Sequence, residues 1–289
     1  LSAELLTEIE SATKALALNC GVRGLMNVQY AVQGGRDLFV IEVNPRASRS
    51  VPFVSKVMGI PWAKVATRVM TGETLEQVAA TKLYGDVLSF RNYAKAISKI
   101  NYVAIKQSVF PFAKFKGVDT LLGPEMKSTG EVMGIDRTRA GGVYRAQRAA
   151  GFSLPAAGKV FFSIRDGDKV AAEAIARRLT ALGFGVVATK GTAKYLSERG
   201  IPAEGINKVR EGSPHAVDLL LKGEISMVVN TPEGTGTHLD SRSIRSTATE
   251  LRLPLFTTLA ATEAAVEAME AAKNGAQYEV LSIQEYLAI

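Results

Sequence analysis

The sequence predicts an α/β chain in two parts: an antiparallel hairpin with flanking helices, then a doubly wound parallel sheet. Three observations predict it. Two strand-like runs, Leu25 to Val32 and Leu38 to Val43, are joined by Gln33-Gly34-Gly35-Arg36-Asp37, where the glycines supply turn geometry. From Val160 onward strand-like and helix-like runs alternate, the pattern of parallel strands joined by right-handed crossovers with helices on both faces. Between the two lies Gly151-Phe152-Ser153-Leu154-Pro155-Ala156-Ala157-Gly158, a linker of small residues and proline. The expected division is 1–150 and 151–289.

At 289 residues the chain has room for two domains of about 100–200 residues each. Its 47% hydrophobic and 22% charged content is that of an ordinary globular protein. No apolar run has the length needed to cross a bilayer, so no membrane partner is expected, and no signal-peptide pattern opens the chain. Cys20 is the single cysteine, which excludes a disulfide framework and a thiolate metal cluster and fits a reducing, cytoplasmic setting. His215 and His238 are the only histidines, too few for a histidine-based metal centre. The net charge of +7 is spread along helices with acidic neighbours, and no basic run is interleaved with aromatics. A phosphorylated small molecule or an acidic partner surface accounts for that excess more simply than nucleic acid does.

In order, Ser2 caps an amphipathic helix carrying Leu5, Leu6, Ile9, Ala12, Leu16 and Leu18. The chain thus opens directly on a helix at Leu1, as a chain entered in mid-domain would. After the hairpin come short helices over Val51 to Met58 and Trp62 to Met70, separated by Gly59 and Pro61, and a further turn from Thr74 through Gln77. Tyr102 to Val109 is strand-like. A loop through Phe115-Lys116-Gly117-Val118-Asp119 follows, then a glycine-rich and polar segment, Leu122 to Gly134, that ends in a short strand. A helix from about Thr138 to Ala150 closes this part. Beyond the linker, strands are expected at Val160–Ile164, Phe184–Ala188, Ser226–Asn230, Pro254–Thr258 and Tyr278–Ile283. Helices are expected at Asp168–Leu182, Thr192–Glu198, His215–Leu221, Ser241–Leu251 and Ala261–Asn274.

Two stretches carry chemistry. In Val40-Ile41-Glu42-Val43-Asn44-Pro45-Arg46-Ala47-Ser48-Arg49-Ser50, strand alternation puts Glu42 and Asn44 on one face, and Pro45 ends the strand. If Gln29 pairs opposite Val40 it joins them, whereas a shift of one residue would send it to the other side. Hard oxygen donors for magnesium then stand beside two fork-shaped arginine donors, Arg46 and Arg49, that suit phosphate oxygens. The plainer alternative is an edge strand with a wet polar face and solvated arginines.

The second stretch is spread over three strand ends, where ligands of such sheets sit. Ser163 to Lys169, Thr189-Lys190-Gly191-Thr192 and Asn230 to Thr237 each combine hydroxyls, glycines and the start of a helix, with Lys208 as an added point charge. Together they read as an anion site, most simply for phosphate. Each loop alone is also what ordinary turns and caps look like. No histidine, cysteine or free carboxylate belongs with these loops as a base, so the site reads as regulatory rather than catalytic.

The runs Val22-Arg23-Gly24-Leu25-Met26-Asn27-Val28-Gln29, Ile41-Glu42-Val43-Asn44-Pro45-Arg46, Val51-Pro52-Phe53-Val54-Ser55-Lys56, Leu121-Leu122-Gly123-Pro124-Glu125-Met126 and Ser128 to Gly134 resemble the large subunit of carbamoyl-phosphate synthase. The resemblance runs the whole length. It corresponds to the end of the second ATP-grasp module, a partial α+β domain with an antiparallel sheet, followed by a methylglyoxal-synthase-like allosteric domain. It implies that Gln29, Glu42 and Asn44 hold Mg2+ or Mn2+ on the phosphates of ATP, and that Arg46 and Arg49 hold phosphate and carbamate. The implied reaction is phosphorylation of carbamate to carbamoyl phosphate for pyrimidine and arginine biosynthesis, with ammonia from a separate glutaminase subunit. It further implies that Lys169, Thr189, Thr192, Lys208 and Asn230 bind a nucleotide monophosphate effector, UMP in the first place and IMP as the alternative.

Some positions depart from the family pattern. Gln107 stands where ornithine-activated members have glutamate, and Leu255-Phe256 stand where those members have Tyr-Asp, so ornithine binding is not expected. Pro232 replaces a threonine of some relatives. Asn230 stands where true methylglyoxal synthases have a catalytic aspartate, which argues against lyase chemistry. No glycine-rich ATP lid lies in this sequence, so the chain alone is expected to make no carbamoyl phosphate. The competing readings are a regulatory binding module without catalysis and a different ATP-grasp ligase.

Overall fold

Ser2 caps the first helix as predicted, its hydroxyl accepting the Leu5 amide at 3.3 Å, and α1 (Ala3–Asn19) follows. The structure, a computed structural model, describes residues 1–91, 96, 100–115, 118–123, 125–231, 234–276 and 278–288, with backbone alone at 90, 91, 113 and 234–240. Two compact units emerge, residues 1–101 with 280–289 and residues 102–279.

In the first unit, β1 (Asn27–Gln33) and β2 (Asp37–Asn44) form the hairpin. Their register puts Gln29 opposite Glu42 and Asn27 opposite Asn44, with an irregularity between Gln29 and Tyr30 that leaves Tyr30 opposite Val40. The predicted pairing of Gln29 with Val40 is therefore two residues out. Because the side-chain period is two, the displacement leaves Gln29 on the face of Glu42. Short helices follow: α2 (Val51–Met58), α3 (Trp62–Met70) and α4 (Leu75–Ala80). Thr74 and Gln77 form a reciprocal capping box on α4, and Ile60, Val65, Val78 and Val87 make a small core beside Trp62.

In the second unit, β3 (Val103–Val109) pairs antiparallel with β4 (Gly130–Asp136), and α5 (Arg139–Ala149) packs on them. That approach requires glycine: a Cβ on Gly134 would stand 2.1 Å from the Gly142 carbonyl oxygen. Five parallel strands follow, β5 (Lys159–Ile164), β6 (Gly185–Thr189), β7 (Glu204–Ile206), β8 (Ile225–Thr231) and β9 (Leu255–Phe256), in the order β7-β6-β5-β8-β9. The helices that follow them in turn are α6 (Lys169–Ala181), α7 (Lys190–Ser197), α8 (Ala216–Leu221), α9 (Gly234–Glu250) and α10 (Leu259–Lys273). Phe161 and Phe162, both fully buried, point to opposite faces of β5. Phe162 packs with Ile175, Leu179 and Val266, whereas Phe161 packs with Leu219, Leu220 and Ile244. Helices cover both faces, as the alternating pattern predicts.

Residues 102–150, grouped by motif with the first part of the chain, fall by compactness in the second unit. Within that unit Arg139 pairs with Glu267, and the rings of Tyr144 and Tyr278 stack with centroids 4.5 Å apart. Two local expectations are corrected. The run Tyr278–Ile283 is not a strand. Ser282 and Glu285 form a capping box that opens α11 (Ile283–Leu287), and the fifth strand is instead the three-residue β7. Gly234 to Thr237 is helical rather than loop, because α9 begins at Gly234; glycine costs an α-helix only about 1 kcal/mol, which packing overrides.

Candidate functional sites

On the hairpin, Asn27, Gln29, Glu42 and Asn44 share one face as two cross-strand pairs. The Asn44 Nδ2 donates to Glu42 Oε1 at 2.6 Å, which joins the two side chains. The face thus presents a carboxylate and amide oxygens, all hard donors of the kind magnesium and manganese take. This donor set fits such an ion, and Gln29, Glu42 and Asn44 are the residues that would hold it. Asn27 escaped the sequence argument, although its place two residues before Gln29 on the same strand is the signal for it. Pro45 ends β2, and the Arg46 amide closes a turn on the Asn44 carbonyl at 2.8 Å. The Arg46 guanidinium, exposed, donates to the Ala47 carbonyl at 3.0 Å, and Arg49 is also exposed. Both lie just past the strand end, next to the oxygen face.

In the second unit a pocket of about 370 Å³ opens at the carboxyl ends of β5, β6 and β8. The strand order reverses there, between β5 and β8. Lys169, Thr189, Thr192 and Lys208, four of the five predicted positions, line it together. Arg165 and Lys190 join them, giving four basic lining side chains against the two acidic ones, Asp166 and Glu211. Lys169 pairs with Asp166 at 2.6 Å and Lys190 with Glu211 at 3.4 Å. The hydrogen bond from Lys169 holds the Asp166 carboxyl below its usual range, and the backbone N–H of Lys208 does the same for Glu211. The Lys208 ammonium has no ion-pair partner among the described residues.

Thr189 sits at the N-cap of α7 without capping it. Its hydroxyl donates to Thr192 Oγ1 at 3.3 Å, and Thr192 Oγ1 donates to the Ile164 carbonyl at 3.5 Å. The first-turn amides of α7 are therefore open to an anion from the pocket. The net positive lining and these amides suit a phosphate-bearing ligand.

Asn230 is placed differently from the other four. It is 1% exposed and does not line the pocket. Its Oδ1 accepts from the Arg245 guanidinium at 2.9 Å, and its Nδ2 donates to the Ser163 carbonyl at 3.4 Å. It forms the wall behind the pocket, between Ser163 and Thr231. Pro232 and Glu233 lie outside the described residues, as does the side chain of His238. Gln107 is half-buried on β3, opposite Val132. Phe256 is buried in the core with Met269. The described residues hold no group of three or more His, Cys, Asp or Glu side chains placed to bind a metal, and no helix among them is long and apolar enough to cross a membrane.

Comparison with known proteins matches two segments to families. Residues 1–78 match the carbamoyl-phosphate synthase L chain ATP binding domain, and residues 171–257 match the MGS-like domain. The carbamoyl phosphate synthase large chain of Mesorhizobium japonicum is 48% identical over 288 residues, covering 100% of this chain and 24% of that protein. Its counterpart from Myxococcus xanthus is 45% identical over 289 residues, covering 100% of this chain and 25% of that protein. For Pasteurella multocida the figures are 48% over 288 residues, 99% and 26%. The chain spans about a quarter of the length of the curated relatives it matches.

Proposed function

We propose that this chain serves within a carbamoyl phosphate synthase large chain, the protein for which its full-length matches are named. Its hairpin supplies one wall of an ATP site, and its parallel-sheet unit holds a phosphate-bearing effector. One observation carries the reading: the similarity is continuous along the chain, and both residue clusters fall on matched segments. Gln29, Glu42 and Asn44 lie within the segment matching the ATP binding domain. Thr189, Thr192, Lys208 and Asn230 lie within the MGS-like segment, with Lys169 two residues before it. In module terms the chain divides at 150/151.

The reaction is ATP-dependent phosphorylation of carbamate to carbamoyl phosphate, which feeds pyrimidine and arginine biosynthesis in the cytoplasm, with ammonia from a glutaminase small subunit. The oxygens of Gln29, Glu42 and Asn44 hold Mg2+ or Mn2+. When bound, that ion neutralises charge on the phosphates. Arg46 and Arg49 hold the anionic carbamate and the phosphoryl oxygens in place with fork-shaped donors. In the other unit Lys169, Thr189, Thr192 and Lys208 take the phosphate of a nucleotide, UMP in the first place and IMP as the alternative. Ornithine is not a ligand, because Gln107, Leu255 and Phe256 offer no carboxylate to its ammonium groups.

The test is made in a full-length large chain carrying this segment. Glu42→Gln should lower ATP-dependent carbamoyl phosphate formation by about 100-fold or more, the scale of losing one group that meets transition-state charge. An unchanged rate would remove the catalytic assignment and leave a regulatory module. Calorimetry with UMP on the wild type and on Lys208→Ala tests the other site, and identical titrations would discard it.

A further inference from the structure

Arg245 is 0% exposed, the only arginine among the buried described residues, and it points away from solvent into a polar cluster. Its guanidinium donates twice to the Asp119 carboxylate, at 2.7 and 2.6 Å, and once to Asn230 Oδ1, at 2.9 Å. Asn230 in turn holds the carbonyl of Ser163, a pocket residue. On its own helix, Ser241 and Ile244 line the same pocket four residues and one residue before Arg245. On the far side, Asp119 accepts the Leu121 amide at 3.2 Å, and Lys127 donates to the Leu121 carbonyl at 3.1 Å. The pocket wall is therefore joined by a polar chain to Asp119, Leu121 and Lys127, between β3 and β4.

We propose that Asn230, Arg245 and Asp119 are positioning residues that transmit occupancy of the anion pocket to residues 118–123. A buried guanidinium cannot exchange its partners for water, because an unpaired charge in that setting is costly. Movement of α9 or of the β8 end around a ligand must therefore either carry Asp119 with it or break the pair. Closely packed polar clusters of this kind have discrete arrangements rather than continuous ones. By linkage, the segment's arrangement changes ligand affinity by the factor with which the ligand changes the segment. Asp119 lies two residues before the run Leu121 to Met126, whose motif the anion site alone leaves without a role. The ligand class is a nucleoside monophosphate, and the inference rests on the pocket being the effector site.

The experiment uses the 289-residue chain, with UMP and inorganic phosphate as probes. Calorimetry reports binding, and hydrogen exchange reports the amides of 118–123 with and without UMP. In the wild type, UMP should slow exchange at Leu121 and Leu122 by at least fivefold. In Asp119→Leu/Arg245→Met, which removes both charges together, UMP should still bind but the response should fall below twofold. Asp119→Asn, isosteric and milder, should show the same loss. Binding without any exchange change at 118–123 in the wild type overturns the proposal and leaves the effector site standing. So does a response retained in both variants. Failure of UMP and phosphate alike to bind the wild type overturns the effector site and the proposal with it.

Discussion

Removing one partner of the Arg245–Asp119 pair should cost far more than removing both. The Arg245 side chain is 0% exposed and that of Asp119 26%, and the contact is bidentate. Asp119→Leu takes the bidentate carboxylate from a buried cation, a change worth about 3–5 kcal/mol. The partial exposure of Asp119 lets water reach that end, so the expected loss is at the lower bound, about 3 kcal/mol. In Asp119→Leu/Arg245→Met no charge remains, and the residual cost is that of lost hydrogen bonds, among them those to Asn230 Oδ1 and from the Leu121 amide, about 1–2 kcal/mol. The double variant should therefore be more stable than the single one by about 1–2 kcal/mol, a coupling that only a cycle of variants exposes. Urea unfolding at pH 7 followed by far-UV circular dichroism measures it. Fluorescence does not, because the one tryptophan, Trp62, lies in the other unit. With an m-value of about 2–3 kcal/mol/M, the single substitution lowers the midpoint by about 1 M. A single variant within 0.5 kcal/mol (order of magnitude) of the wild type would mean that the pair does not hold the segment at all.

Gly134→Ala should destabilise the β3–β4–α5 layer by about 3 kcal/mol or more, since the new Cβ meets backbone at 2.1 Å and 2.5 Å; a thermal shift under 2 °C (order of magnitude) would contradict the close packing. Thr120 Oγ1 is buried with no hydrogen-bond partner among the described residues, so Thr120→Val should be neutral or slightly stabilising, and a loss above about 1 kcal/mol in the same urea assay would show that the hydroxyl is satisfied. Stability should fall with acid. Burial pushes the Asp119 carboxyl up, but the Arg245 and Leu121 hydrogen bonds outweigh it and hold it below its usual value; the Arg178 bond does the same for Glu270. A carboxyl depressed in the folded state contributes stability above its unfolded pKa of about 4 and loses it as pH falls through the folded value. Urea midpoints should thus be level from pH 7 to about 5 and drop below about 4, less steeply in Arg178→Gln, and an identical slope in that variant would rule out the Glu270 contribution.

What could be read from the chain depended on whether the governing rule was local. Strand alternation put Glu42 and Asn44 on one face, and the parity of the register, rather than its exact value, kept Gln29 with them. The Thr189 to Thr192 strand end was legible because a strand, a short polar turn and a helix follow one another directly. By contrast, β7 is three residues long, below what periodicity can detect, while Tyr278 to Ile283 offered strand-forming residues that pair with no strand among the described residues. The capping box at Ser282 and Glu285 was the stronger local signal there.

Asn230 marks the limit most clearly. Its place at a strand end could be foreseen, but not the direction in which its amide is committed. That is decided by Arg245, fifteen positions on, which is itself held by Asp119 across 126 positions. Nothing in the sequence distinguishes Arg245 from Arg242, three residues earlier on the same helix. Pairing between distant polar groups has no period, so the lining of a pocket at strand ends can be foreseen while its back wall cannot. The back wall is also where a ligand's effect would have to leave the pocket. Identifying the lining residues therefore locates a binding site, and only the buried contacts behind them indicate which segment that site can move.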